Sequence, residues 1–191
     1  MTEPRQIRDA TTMRALAHPT RLALLDVMRR DGEITATRAA EQLGDSPGNM
    51  SWHLQTLAKY GFVEEAGGGK GRSRPWRIAS TDTRINAVSD DPGVAAAGDA
   101  LTLQVLERDR AQMREWLSTR RDYSTEWQEA SFLSNTLTYL TPSELAALSD
   151  DVVELFLRHR DRIEKRSRPE GALPVRLAAF GHPLPPTEAG N

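Results

Sequence analysis

Helix-breaking residues recur so closely up to Gly71 that every helix between them must be short. His18-Pro19, Asp31-Gly32, Gly44, Ser46-Pro47 and Gly61 punctuate the segment, and Gly67-Gly68-Gly69-Lys70-Gly71 closes it. A glycine ends a helix because it adopts the left-handed conformation at no steric cost. A proline suits the first turn, where its missing N–H needs no partner. Between the breaks, apolar residues keep helical spacing. Ile7, Ala10, Met13, Leu16 and Ala17 predict a first helix from about Gln6, and Leu22, Leu25 and Met28 predict a second from Pro19 to Gly32. After the short piece Glu33-Ile34-Thr35, Thr35 or Thr37 can cap a third helix whose inner face is Ala39, Ala40 and Leu43.

The fourth helix, residues 46–60, carries the most information. Ser46 is a good N-cap and Pro47 a good first residue, while Met50, Leu54 and Leu57, at i, i+4 and i+7, supply one buried face. At ~100° per residue that phase turns Gly48, Trp52, Gln55 and Lys59 outward, with Ser51 and Thr56 flanking. Trp is ordinarily a core residue, yet a rotation that buried Trp52 would expose two of the three apolar residues. His53 falls at the flank of the buried face, where packing or a phosphate hydrogen bond suits it better than metal ligation. Beyond Gly61, Phe62-Val63-Glu64-Glu65 and Arg74-Pro75-Trp76-Arg77-Ile78 are predicted strands of a hairpin, residues 63–79, with a glycine-rich basic tip. That glycine run lacks the Lys-Ser/Thr ending and following helix of a phosphate-binding loop.

Three short helices, a capped fourth with a polar outer face and a basic hairpin describe a winged helix-turn-helix: mainly α, with a two-stranded wing. The major groove of B-DNA, about 12 Å wide, admits one α-helix, which needs an apolar stripe for anchorage and short polar residues outside. Ser46, Gly48, Asn49, Ser51, Trp52 and Gln55 are the candidate DNA-reading residues. The positive N-terminal end of such a helix also favours a nearby phosphate. Lys70, Arg72 and Arg74 are the candidates for phosphate or minor-groove contact from the wing.

The ordered pieces Ala15-Leu16-Ala17-His18-Pro19-Thr20-Arg21-Leu22, Leu43-Gly44-Asp45-Ser46, Ser51-Trp52-His53-Leu54-Gln55-Thr56-Leu57 and Gly61-Phe62-Val63, followed by Gly71-Arg72, resemble the ArsR-type winged-helix repressors of bacteria over about residues 8–79. The resemblance implies a homodimeric transcription factor that inserts its fourth helix into a pseudo-palindromic operator in double-stranded DNA. It also implies that a ligand or condition alters DNA affinity. Where thiolate sensors of that family place cysteines at the start of the third helix, this chain has Thr35, Ala36 and Thr37, which excludes arsenic or cadmium sensing of that kind. The remainder of the chain is similar to the larger ArsR-like regulators with added C-terminal helices for dimerisation and possible effector binding. That part of the resemblance carries no ligand residues.

Residues 1–80 are thus expected to be the DNA-binding domain, and the polar, turn-forming residues 81–93 a linker. Residues 94–168 are expected to be a helical dimerisation and effector domain, and 169–191 a partly loose tail. From Val94 to about Arg121, Leu101, Val105, Leu106, Met113, Trp116 and Leu117 make a stripe wider than one intramolecular partner needs, and are the candidate dimerisation residues. Thr141-Pro142-Ser143-Glu144 is a strong start for a later helix with Leu145, Leu148, Val152, Leu155, Phe156 and Ile163 on its inner face. Trp116, Trp127, Phe132, Tyr139 and Phe156 suit a core better than a ligand cavity.

Charge divides the same way. The net charge of −2 conceals +3 over residues 1–80 and −5 over the rest, a basic working surface joined to an acidic partner. With no cysteine and four scattered histidines, neither a disulfide scaffold nor a spaced metal-ligand set is present, and no cofactor is expected. No Gly-x-Ser-x-Gly elbow marks a nucleophile, so an enzyme is not expected. The polar N-terminus and the lack of a long apolar stretch lead to the expectation of a cytoplasmic protein without membrane contact. The competing function is a winged-helix module that binds a protein partner and leaves DNA alone. The basic hairpin and polar outer helix favour DNA; the overall negative charge is against it.

Overall fold

Asp9 starts the first helix later than the apolar spacing predicts. In the computed structural model, which describes residues 5–69, 73–79, 83–85 and 88–185, Arg5–Ile7 form a strand (β1) and the first helix begins at Ala10 (α1, Ala10–Leu16). Extended backbone at Asp9 lets its carboxylate accept the Thr12 N–H at 2.8 Å, a helix cap that breaks the run from Gln6. Ile7 still reaches the core, from a strand.

The following helices keep to their predicted breaks. α2 (Pro19–Asp31) opens on Pro19 and closes on Gly32; α3 (Ala36–Leu43) is capped by Thr35 and closed by Gly44 in the left-handed region. α4 (Pro47–Lys59) is capped by Ser46, whose hydroxyl accepts the Asn49 N–H at 3.1 Å. The hairpin strands are β3 (Val63–Glu65) and β4 (Pro75–Ile78). They are joined by a strand the sequence pattern did not predict, β2 (Ile34–Thr35), in an antiparallel sheet of order β2-β4-β3. Ile34 pairs with Trp76 and Glu65 with Trp76 on its other side, so the buried Trp76 ties the wing to the start of α3.

A strand falls where a linker was expected, and the helix expected from Val94 to about Arg121 begins two residues earlier, at Pro92. β5 (Thr83–Ile85) pairs in parallel with β1, and α5 (Pro92–Thr119) starts from an Asp91 cap and packs along α1 and α2. Ala97, Gly98 and Leu101 of α5 are buried with the core, and Gln112 Nε2 donates to Asp26 Oδ2 of α2 at 3.0 Å. The first compact unit is Met1–Arg120, which takes in residues 94–120 of the expected helical domain.

The second unit, Arg121–Asn191, holds α6 (Thr125–Ala130), α7 (Pro142–Leu157) and short 3-10 turns at Arg160–Ile163 and Lys165–Ser167. α7 has the predicted start in full: Thr141 and Glu144 each accept from the other's backbone N–H. Half of its predicted inner face is exposed, at Leu148, Leu155 and Phe156, while Leu145, Val152 and Ile163 are half-buried; Phe132, Leu133, Leu137 and Tyr139 before it are exposed as well. Among the described residues no helix is long and apolar enough to cross a membrane.

Candidate nucleic-acid interface

The phase of α4 follows from its inner stripe. Met50, Leu54 and Leu57 are fully buried against α1, α3 and the sheet, while Gly48, Asn49, Trp52, Gln55 and Lys59 are exposed and Ser51 is half-buried. Trp52, a large aromatic at 55% exposure, therefore stands on the outer face. Gly48 is open, since a Cβ there would meet only Ser46 Oγ, at 4.0 Å. Local packing does not demand glycine at that position.

The N-terminal end of α4 is already supplied with an anion. Asp45 accepts from the Ser46 N–H at 2.6 Å and from the Asn49 side-chain amide at 2.7 Å. Those bonds, the backbone one first, hold its carboxyl below the usual carboxylate range. A phosphate approaching that end would meet the carboxylate first, and the Asn49 side chain is committed to it. Gln55 is less committed, with one long bond of 3.4 Å to Ser51 Oγ.

In the wing, Lys70 and Arg72 lie outside the described residues. Arg74 is described and is paired with Glu65; Arg77 pairs with Glu64 at 2.8 Å. The two cations of the returning strand are thus offset by carboxylates of the strand beside them. These pairs are exposed and weak, so a phosphate can displace them at small cost. Gly69 has φ +69°, and a Cβ there would run into the Ser73 carbonyl, so the hairpin closes only over glycine.

Behind the reading face lies a cluster whose residues come from two helices. His18 caps α2, its Nδ1 accepting the Thr20 N–H at 3.2 Å, and its ring lies 4.7 Å from that of His53 on α4. His53 is 2% exposed and its buried Nδ1 has no hydrogen-bond partner. Burial, reinforced by Arg21, holds the His18 imidazole below its ordinary value; burial, with His18 and Arg21 adding, does the same for His53 against a smaller opposing pull from Asp45. Sequence reasoning placed His53 at the helix flank. It did not foresee that His18 and Arg21 would meet it there, since only the α2–α4 crossing brings them together. Among the described residues, no group of three or more histidines and carboxylates could hold a metal ion.

Of the candidate dimerisation residues, Leu101 is fully buried and belongs to the core of its own unit. Val105 and Trp116 are half-buried, whereas Leu106, Met113 and Leu117 are exposed.

A sequence model of a family described as a helix-turn-helix domain matches residues 16–66, the span from the end of α1 through β3. No curated protein matches significantly. One similar solved structure is that of a mutant Lactococcus lactis ZitR in apo form, 14% identical over 73% of this chain and 83% of that one, with a TM-score of 0.32. A likeness so slight carries no argument beyond its statement.

Proposed function

We propose that this chain is a sequence-specific DNA-binding transcriptional regulator that acts as a homodimeric repressor, with α4 in the major groove of a pseudo-palindromic operator. The observation that carries the reading is the phase of α4: an apolar stripe locked into the core, and an outer face of Gly48, Asn49, Trp52 and Gln55 directed to solvent. The helix-turn-helix match over residues 16–66 supports it. In this reading Ser46 and Ser51 contact the backbone or base edges at the rim, and Lys70, Arg72 and Arg74 carry the wing onto phosphate or minor groove. Two copies are joined through α5, and an effector of unknown identity sets the affinity. The same motifs give the resemblance to ArsR-type repressors, of the larger form with added C-terminal helices.

The second reading, a winged-helix protein-interaction module, draws on the pairing of Arg74 and Arg77 with glutamates and on Asp45 at the end of α4. One experiment separates the two. The full chain is used to select from a random pool of duplex DNA, and the enriched duplexes are titrated at several salt concentrations. The proposed function predicts an enriched sequence with two-fold symmetry, bound ~1–3 kcal/mol more weakly by Gln55→Ala for a lost base contact. It also predicts a salt slope shallower by about one unit in Arg72→Ala. A pool with no enriched sequence leaves the protein-binding module.

A further inference from the structure

Arg21 is buried at the place where the reading face of α4 meets α2. Its side chain springs from the first turn of α2 and is 9% exposed, its Nε has no hydrogen-bond partner, and its guanidinium carbon lies 5.9 Å from the centre of the Trp52 ring. A buried cation with an unsatisfied N–H is a cost to the fold. The core gains nothing from the charge, because Leu22, Leu24 and Leu25 beside it already fill the inner face of α2. The guanidinium faces an indole, with Tyr60 also near enough to favour its charge, and the negative face of a Trp ring attracts a cation within about 6 Å. Trp52 is held a second time by the His53 ring, edge-on at 4.7 Å, and His53 is in turn backed by His18.

The indole is therefore contacted by groups on two helices while half of its surface stays open. An exposed Trp on a lone helix face samples several rotamers, and ordering it on binding costs affinity. Held in advance, it offers an apolar surface of fixed direction, and the one apolar group that a major groove displays is the C5-methyl of thymine.

We propose that Arg21 is a positioning residue for DNA recognition, fixing the Trp52 indole from α2 so that α4 presents a preordered apolar surface to thymine methyls in the major groove. The proposal rests on the reading that α4 enters that groove. It adds a specificity, thymine over any base lacking the methyl, and a residue outside the recognition helix that sets it.

The test uses the full chain with Arg21→Ala, Arg21→Lys and Trp52→Ala, and has one readout that involves no DNA. The first measurement is the heteronuclear NOE of the Trp52 indole N–H, assigned by its loss in Trp52→Phe. It should be as high as the backbone in the unsubstituted protein, fall in Arg21→Ala, and be partly restored in Arg21→Lys, which keeps the cation and the aliphatic stem. The second uses duplexes enriched by the unsubstituted protein, with thymine replaced by uracil one position at a time, which removes only the methyl. Binding should weaken about four-fold at the contacted position, the worth of one buried methyl, and that thymine-to-uracil ratio should fall to unity in both Arg21→Ala and Trp52→Ala.

A merely structural Arg21 would lower affinity for both duplexes together and leave the ratio unchanged, which overturns the proposal. An unchanged indole NOE in Arg21→Ala overturns it as well, whatever happens with DNA. If no duplex is enriched, the DNA reading and its thymine specificity fall together, while the NOE still reports whether Arg21 orders the indole.

Discussion

His18 can cap α2 only while Nδ1 carries no proton, because a cap accepts a hydrogen bond and a protonated imidazole can only donate. A proton there would also add positive charge to the helix end that is already positive, beside Arg21 and the ring of His53. Both imidazoles are held below their ordinary value of 6.5, so the unfolded chain binds more protons than the folded one as the pH falls past that value. The sign follows: their neutral forms stabilise the fold fully above pH 6.5, and that contribution is lost as the pH drops through the lowered values. Among the described residues, the carboxylate of Asp45 opposes this for His53, whereas Arg21 reinforces it for both rings. Urea unfolding of the full chain should accordingly lose stability between pH 7.5 and 5.5, before the carboxylates titrate. His18→Asn keeps a cap without a titrating ring, and its loss over the same interval should be smaller. An equal loss in both proteins would show that His18 does not sense the proton.

α4 shows what a helix discloses through its sequence and what it keeps back. Three apolar residues at i, i+4 and i+7 between an N-cap and a glycine fix which side is buried, because burying any other face would expose them. Neighbouring residues on this helix should therefore respond in opposite ways. Leu54→Ala removes a fully buried side chain and should cost ~2–5 kcal/mol in thermal or denaturant unfolding. Gln55→Ala, one position on, should leave the melting temperature within a degree or two and act on DNA binding alone. A large stability loss in Gln55→Ala would mean that the helix is turned the other way. Contacts between elements were not legible in the same manner. The short piece Ile34-Thr35 offers too few residues to declare a strand until β4 lies beside it, and the Asp9 cap is hidden in apolar spacing that runs on from Ile7, a residue of β1 paired with β5. The His18–His53 meeting and the Arg21–Trp52 stack depend on how two helices cross, which no local spacing encodes.

The same limit governs the division of the whole chain. Residues 81–93 have the polar, turn-rich composition of a linker, yet β5 pairs back to β1, and Leu101 of α5 is fully buried in the core of the first unit. Composition reports local chain preference, and these contacts join residues far apart in sequence. A fragment ending at Ser80 therefore lacks part of its own core: withholding Leu101 alone removes roughly 2 kcal/mol of burial. That fragment should melt well below one ending at Arg120, which should unfold cooperatively. The proposed dimer interface falls within the same fragment. At 28 residues α5 spans about 42 Å, its buried residues end at Leu101, and beyond them Leu106, Met113 and Leu117 form an exposed stripe of near-heptad spacing, turned away from the face where Gln112 and Arg108 meet Asp26. A second copy of α5 laid along that stripe would cover it, and such a dimer must hold its two α4 helices about 34 Å apart to meet successive turns of DNA. Light scattering should find the 1–120 fragment dimeric at micromolar concentration, and Met113→Glu with Leu117→Glu should make it monomeric while circular dichroism still shows the helices folded. A 1–120 fragment that is monomeric beside a dimeric full chain would move the interface to the exposed apolar residues of α7.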